Sequence, residues 1–220
     1  MSSKRLPIRL ILLKLKRLFD CAGASLALAL LSPLFSALAV AIKLDSQGPV
    51  FFRQKRLGYR GRMFSIFKFR TMIPNAASVG AGLPTFDGDP RVTKVGRVLR
   101  KRRLDELPQL FNVLLGQMSL VGPRPLMPDY LESYSQRDKK RMLMPPGMTG
   151  WQQVHGGATH NWLERIESDI WYVEHWTPWL DILVLLKTPA VVFKADTVYG
   201  KDGWQRCGVP DEQLAPKEVA

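Results

Sequence analysis

From Cys21 to Ile42 the chain runs 22 residues without a charge (CAGASLALALLSPLFSALAVAI). At 1.5 Å per residue a helix of this length reaches about 33 Å, enough to cross a hydrocarbon core of about 30 Å. The run is too long for the apolar part of a secretory leader, and Pro33 and Phe35 break the small-residue pattern of a cleavage site. Helices buried in soluble domains are seldom this long and uncharged. Two features oppose a straight crossing. Ser32-Pro33 stands mid-run, where proline removes a helix hydrogen bond and kinks the axis, and Ser32 can re-satisfy the freed carbonyl. Basic residues also flank both ends: Lys4, Arg5, Arg9, Lys14, Lys16 and Arg17 before, Lys43, Arg53, Lys55, Arg56, Arg60 and Arg62 after. A spanning helix carries its basic excess on one side only. A helix that enters, breaks at Ser32 and Pro33 and leaves by the same face satisfies both facts, each half of about 10 residues reaching about 15 Å, one leaflet deep. Spanning helices also carry proline kinks, so the pattern alone leaves both topologies open.

Beyond this run the pattern shortens. Residues 43–73 alternate apolar with basic or polar side chains, and Gly48-Pro49 and Gly58 to Gly61 bound segments that read as short strands joined by a turn. Residues 74–90 are rich in glycine, proline and small residues and read as a loop; Gly80 and Gly82 lack the GK[ST] of a phosphate loop. Val95 to Gly116 holds two helical stretches, Ser119 to Pro128 a rigid loop, 129–144 a polar helix, and Pro145 to Gly157 another loop. Asn161 to Trp176 is an amphipathic helix with Trp162, Ile166, Ile170 and Val173 at helical spacing. Trp179 to Phe193 is apolar but short for a span, which suits an interfacial helix. From Asp196 the tail is polar.

Composition narrows the class. At 46% hydrophobic and 23% charged, 220 residues are neither disordered nor too few for a core. Cys21 and Cys207, far apart, exclude a disulfide scaffold and a cysteine zinc site and fit a reducing compartment. The net charge is +13, and it is uneven: residues 1–103 carry 21 of the 32 Lys and Arg but 4 of the 19 Asp and Glu. An anionic partner follows, whether nucleic acid, phosphorylated substrate or membrane surface.

Two acidic features stand against this basic background. Asp105-Glu106 directly follows Arg100-Lys101-Arg102-Arg103, and Pro108 predicts a helix start within a few residues. Both carboxylates then lie at a helix N-terminus beside four cations, a field that keeps Asp105 ionised and attracts phosphate. Ordinary helix-start acids would look the same. Asp169 falls on the apolar stripe of its helix beside Trp162, Ile166 and Val173, whereas Glu164, Glu167 and Glu174 point elsewhere. A buried carboxylate there needs a cation, a metal or hydrogen bonds, so a salt bridge to an arginine and an active-site role stand equal. His155, His160 and His175 form no helical HxxxH pair, and no GxSxG elbow is present.

Read together, Phe67-Lys68-Phe69-Arg70-Thr71-Met72, Leu104-Asp105-Glu106-Leu107-Pro108-Gln109-Leu110-Phe111-Asn112-Val113, Met118 to Pro125 (MSLVGPRP), Pro146 to Trp151 (PGMTGW) and Asp169 to Val173 (DIWYV) resemble the bacterial sugar transferase family. These are monotopic phosphoglycosyl transferases. The resemblance runs in order from about residue 17 to 193 and implies the minimal, single-domain form. It implies an α+β fold: a membrane-embedded re-entrant helix-break-helix over 1–43, a cytoplasmic catalytic domain with short strands and interfacial helices over 44–195, and a polar tail over 196–220. It implies transfer of a sugar 1-phosphate from a UDP-sugar to polyprenyl (undecaprenyl) phosphate, releasing UMP, at the cytoplasmic leaflet of the bacterial inner membrane. Asp105 matches the nucleophile and Glu106 the Mg²⁺ ligand; Lys68, Arg70, Arg100 and Arg124 match phosphate-binding positions and Asp169 an active-site acid. A homo-oligomer is left open. Arg102-Arg103 depart from the Thr-Ser common in the family, leaving the capping box before Glu106 incomplete. A membrane-attached nucleic-acid-binding protein is the rival from another class, but it gives no use for Asp105-Glu106 and no binding motif is present.

Overall fold

A computed structural model of the protein describes residues 5–76, 85–86, 88–132, 134–156 and 160–193. The polar tail and part of the 74–90 loop lie outside the described residues. The uncharged run forms the middle of α1 (Arg5–Asp45), one helical element with Pro33 inside rather than two separate helices. Proline leaves the Ala29 carbonyl without its usual donor, and the Ser32 hydroxyl donates to that oxygen at 2.8 Å. This is the substitution anticipated for Ser32.

The two expected strands form an antiparallel hairpin, β1 (Phe51–Leu57) and β2 (Met63–Phe69), with Phe52 opposite Lys68 and Leu57 opposite Met63. Beyond it come α2 (Lys94–Lys101), capped by the Thr93 side chain on Gly96 N–H, and α3 (Gln109–Leu114). A second small sheet pairs β3 (Ser119–Val121) in parallel with β4 (Gly147–Thr149). Then follow α4 (Trp151–His155), α5 (Trp162–His175) and α6 (Pro178–Phe193). Asn161 and Glu164 close a full capping box at the start of α5.

Three expectations need correction. The stretch 129–144 is not one polar helix but two 3-10 pieces, Pro128–Tyr130 and Asp138–Leu143. Between them Tyr134 is buried and stacks on Trp162, drawing the chain inward where a helix would have carried on outside. The loops after Ser119 and Pro145 each hold a three-residue strand, too short for period-2 alternation to show, and the second also holds the five-residue helix α4.

Both halves of α1 pack on the same domain. Ala24, before the proline, sits in a cluster with Ile66, Leu110, Val113 and Met118. Phe35, Leu38 and Ile42, after it, pack with Phe69, Leu99, Leu104 and Leu107. Other α1 side chains remain open to the surroundings, among them Leu18, Leu26, Leu30, Val40 and Leu44. An apolar helix that leaves so much surface unburied requires an apolar surrounding.

Candidate active site

Asp105 and Glu106 lie in a 3-10 turn of their own, Leu104–Glu106, ahead of α3. The turn is entered through Arg103 in the left-handed conformation (φ 53°), not through a capping serine. Leu104 within it and Leu107 directly after it seat the turn on Phe69, Leu99 and the post-proline half of α1. The acids themselves are half-buried.

The two carboxylates are treated differently. Glu106 Oε1 accepts from Lys68 Nζ at 2.9 Å and from Arg124 Nη2 at 2.8 Å. Burial alone would raise its pKa, but Arg124, Lys68 and Arg103 outweigh burial and hold it well below the usual glutamate range. Asp105 makes no hydrogen bond or ion pair among the described residues. Burial raises its pKa, the Glu106 charge adds to the rise, and Lys68, Arg100 and Arg124 only partly oppose it. One acid is thus pinned and ionised, and its neighbour is left free with a more basic carboxylate.

Lys68 reaches Glu106 because β2 is held against α3. Asn112, fully buried, accepts from Phe67 N–H at 2.9 Å and donates to the Ser65 carbonyl at 2.8 Å, acting as a one-residue strand on the free edge of β2. Arg124 follows β3, where Gly122 lets two backbones meet: a Cβ there would stand 2.3 Å from the Pro145 carbonyl oxygen. Arg100, at the end of α2, donates to the Thr71 hydroxyl at 2.8 Å and lies within electrostatic reach of Asp105.

Arg70 and Asp169 are placed elsewhere. The Arg70 guanidinium, buried on β2's end, donates to the Ile42 carbonyl (3.3 Å) and the Ser46 carbonyl (2.6 Å), closing the C-terminus of α1. That is a brace for the long apolar helix; among the described residues it is not joined to the acidic pair. Asp169 is 1% exposed, as its place on the stripe requires, and pairs with Arg141. Arg141 in turn donates to the Arg124 carbonyl at 3.3 Å. Asp169 therefore reaches the site through Arg141 and the backbone of Arg124. Glu167 and Glu174 face outward onto Arg137 and Lys140, as the helical wheel requires.

The sequence could not name Arg141 or Asn112. Asp169's burial demanded a cation, but nothing in a string of four basic residues, Arg137 to Arg141, says which one turns inward. Asn112 is a polar residue among the apolar Leu110, Phe111 and Val113, the one sequence signal of its inward role.

Glu106 spends only Oε1 on its cations, leaving Oε2 and the Asp105 carboxylate without protein bonds among the described residues. Two adjacent carboxylates with open oxygens fit a hard divalent cation such as Mg²⁺, which takes one or two protein carboxylates and completes its shell from substrate and water. No cluster of three or more His, Cys, Asp or Glu ligands occurs among the described residues, so substrate oxygens and water would supply the rest.

Most of the chain is similar to known proteins. Residues 11–195 match the family described as bacterial sugar transferase. The chain is 42% identical to the uncharacterized sugar transferase EpsL of Bacillus subtilis (strain 168), over 84% of this chain and 90% of that one. It is 46% identical to the UDP-N-acetylgalactosamine-undecaprenyl-phosphate N-acetylgalactosaminephosphotransferase of Aeromonas hydrophila, over 79% of this chain and 42% of that one. It is 44% identical to the UDP-glucose:undecaprenyl-phosphate glucose-1-phosphate transferase of Escherichia coli (strain K12), over 82% of this chain and 40% of that one. The chain thus spans about four tenths of the length of the last two. With a family match running from within α1 to the end of α6, the chain belongs to the bacterial sugar transferases.

Proposed function

We propose that this protein transfers a sugar 1-phosphate from a UDP-sugar to polyprenyl phosphate at the cytoplasmic face of the membrane, through a phosphosugar held on Asp105. The observation that carries the reading is the division of labour between adjacent acids. An Asp105 oxygen attacks the sugar-side phosphorus of the diphosphate, the bond to the bridging oxygen breaks, and UMP leaves with that oxygen. The terminal phosphate of the lipid then attacks the same phosphorus, restoring the carboxylate and giving a polyprenyl diphosphate sugar. Phosphoryl transfer asks mainly for positioning and charge neutralisation. Lys68, Arg100 and Arg124 line the acidic turn to provide both, and their positive charge keeps the donor's phosphates beside Asp105. Mg²⁺, when bound through Glu106, would add neutralisation on the diphosphate.

The membrane arrangement supports the same reading. Before the apolar run, Lys16 and Asp20 bond to Asp181 and to Leu120 N–H; after it, Asp45 accepts from Val95 N–H at 2.9 Å. Both ends are tied to one domain, which a straight crossing would divide between two sides of the bilayer. A re-entrant, monotopic helix keeps that domain at the headgroups, where the lipid's phosphate lies.

The test is a trapping experiment. Enzyme with Mg²⁺ and UDP-sugar labelled in the sugar, without lipid, should acquire covalent label and release UMP. Asp105→Asn should abolish the label while retaining nucleotide binding. A wild-type enzyme that turns over with lipid yet never carries label would overturn the covalent step. A panel of UDP-sugars in the same assay identifies the donor.

A further inference from the structure

The edge of β3 turned away from β4 is met by two side chains of α1 that act in place of a strand. Asp20 Oδ1 accepts from Leu120 N–H at 3.0 Å, and Lys16 Nζ donates to the Val121 carbonyl at 2.9 Å. Four residues apart, they share one helix face, so an acceptor and a donor meet consecutive groups of the strand. Both are buried, at 8% exposure for Lys16 and 3% for Asp20. The Lys16 charge is answered by Asp181 of α6 at 2.6 Å. Asp181 is itself held by the Tyr172 hydroxyl at 2.6 Å and the Trp176 indole N–H at 3.2 Å. Buried charges this fully bonded hold a geometry that an apolar contact would leave free to slide.

The contact lies three residues before Arg124, and the segment between has little slack. Gly122 N–H donates to the Thr149 carbonyl and Gly147 N–H to the Pro123 carbonyl, each at 2.9 Å. Pro123 and Pro125 stiffen the rest. A shift of α1 along β3 therefore moves the base of Arg124, whose guanidinium grips Glu106.

We propose that Lys16 and Asp20, with Asp181 holding Lys16, are positioning residues for Arg124: the membrane helix sets the register of the loop that presents this guanidinium to Glu106 and to a substrate phosphate. Only the turnover half of the test rests on the transferase reading.

The full chain in lipid nanodiscs is assayed for affinity to UMP, a soluble phosphate probe, and for turnover. Lys16→Met/Asp181→Asn removes the ammonium without stranding its counter-charge, so loss of fold and loss of position separate. This pair should melt near the wild type yet bind UMP about tenfold more weakly, with turnover lowered similarly. Added to an Arg124→Ala background, it should cost less than about twofold further, because the residue it positions is gone. Lys16→Arg and Asp20→Asn, which keep the donor and the acceptor, should stay within about threefold of wild type, and Asp20→Leu should not. Equal losses in the wild-type and Arg124→Ala backgrounds, or unchanged UMP affinity, would overturn the proposal. Coupled losses in UMP affinity, with no turnover of any UDP-sugar, would instead overturn the transferase reading and leave the positioning role standing.

Discussion

Replacing Asp169 by asparagine keeps the shape of the side chain and removes one charge from a pair buried at 1% and 4% side-chain exposure. Removing one partner of such a pair strands the other, Arg141, at a cost of about 3–5 kcal/mol. For a chain of this size each kcal/mol moves the melting temperature by about 2–4 °C, so Asp169→Asn should melt roughly 6 to 20 °C lower. Turnover should fall as well, since Arg141 also donates to the Arg124 carbonyl. Glu167→Gln is the control on the same helix. It cuts an exposed pair with Arg137 and should leave both melting and turnover within error. Removing both charges, Arg141→Met/Asp169→Leu, should recover most of the stability but not the turnover, because the Arg124 carbonyl still lacks its donor. Thermal unfolding followed by tryptophan fluorescence in nanodiscs, beside UMP release, reads both effects. If Asp169→Asn melts like the wild type while turnover collapses, Asp169 contacts substrate and the argument from the buried pair is wrong.

Two further outcomes follow from the fold. Single cysteines at the exposed positions Lys14 and Gln47, in a background lacking the native cysteines, should both escape an impermeant thiol reagent in intact cells; labelling of one alone would mean a spanning helix. Gly122→Ala should lower both stability and turnover, because its Cβ would meet the Pro145 oxygen at 2.3 Å and push apart the backbones that carry Arg124; a fully active, stable variant would show that this loop yields freely.

What the sequence made legible was what repeats or what is charged. The uncharged run, the alternating hairpin and the stripe of α5 each extend over enough residues for a period to declare itself. Asp169 was identified as inward-facing by that period alone. The acidic pair stood out because it directly follows a run of four basic residues at the end of the basic half. What stayed hidden depends on contacts between distant segments. Three-residue strands such as β3 and β4 are stabilised by each other across 28 positions, from Ser119 to Gly147, and carry no local pattern. The descent of Tyr134 beneath Trp162 broke the expected polar helix for the same reason. Arg70 illustrates a different limit. It shares a motif with Lys68, two residues away and just past the end of β2, yet it is bonded to the end of α1, while Lys68 is bonded to Glu106. Motif membership marks a neighbourhood, and only the third dimension assigns the partner.

The electrostatic split between the two acids has a consequence for pH. As the proposed nucleophile, Asp105 must be ionised to attack, and burial places its pKa above the ordinary aspartate value of 3.8, with the neighbouring Glu106 charge adding to the rise. Glu106, held down by Arg124 and Lys68 against its burial, stays ionised over the same range. As pH falls, Asp105 is therefore the first of the pair to protonate, and the acid limb of covalent adduct formation should lie above 3.8. The sign of each neighbour then fixes the direction of change. Glu106→Gln removes a negative charge that raises Asp105, so the limb should move to lower pH even as the rate falls. Lys68→Met removes the largest opposing cation, so the limb should move to higher pH. Both shifts are read from single-turnover labelling rates between pH 4 and 9 (about the range a folded protein of this kind tolerates). Movement of the two variants in the same direction would show that the limb belongs to another group, and would remove the raised carboxylate of Asp105 from the mechanism.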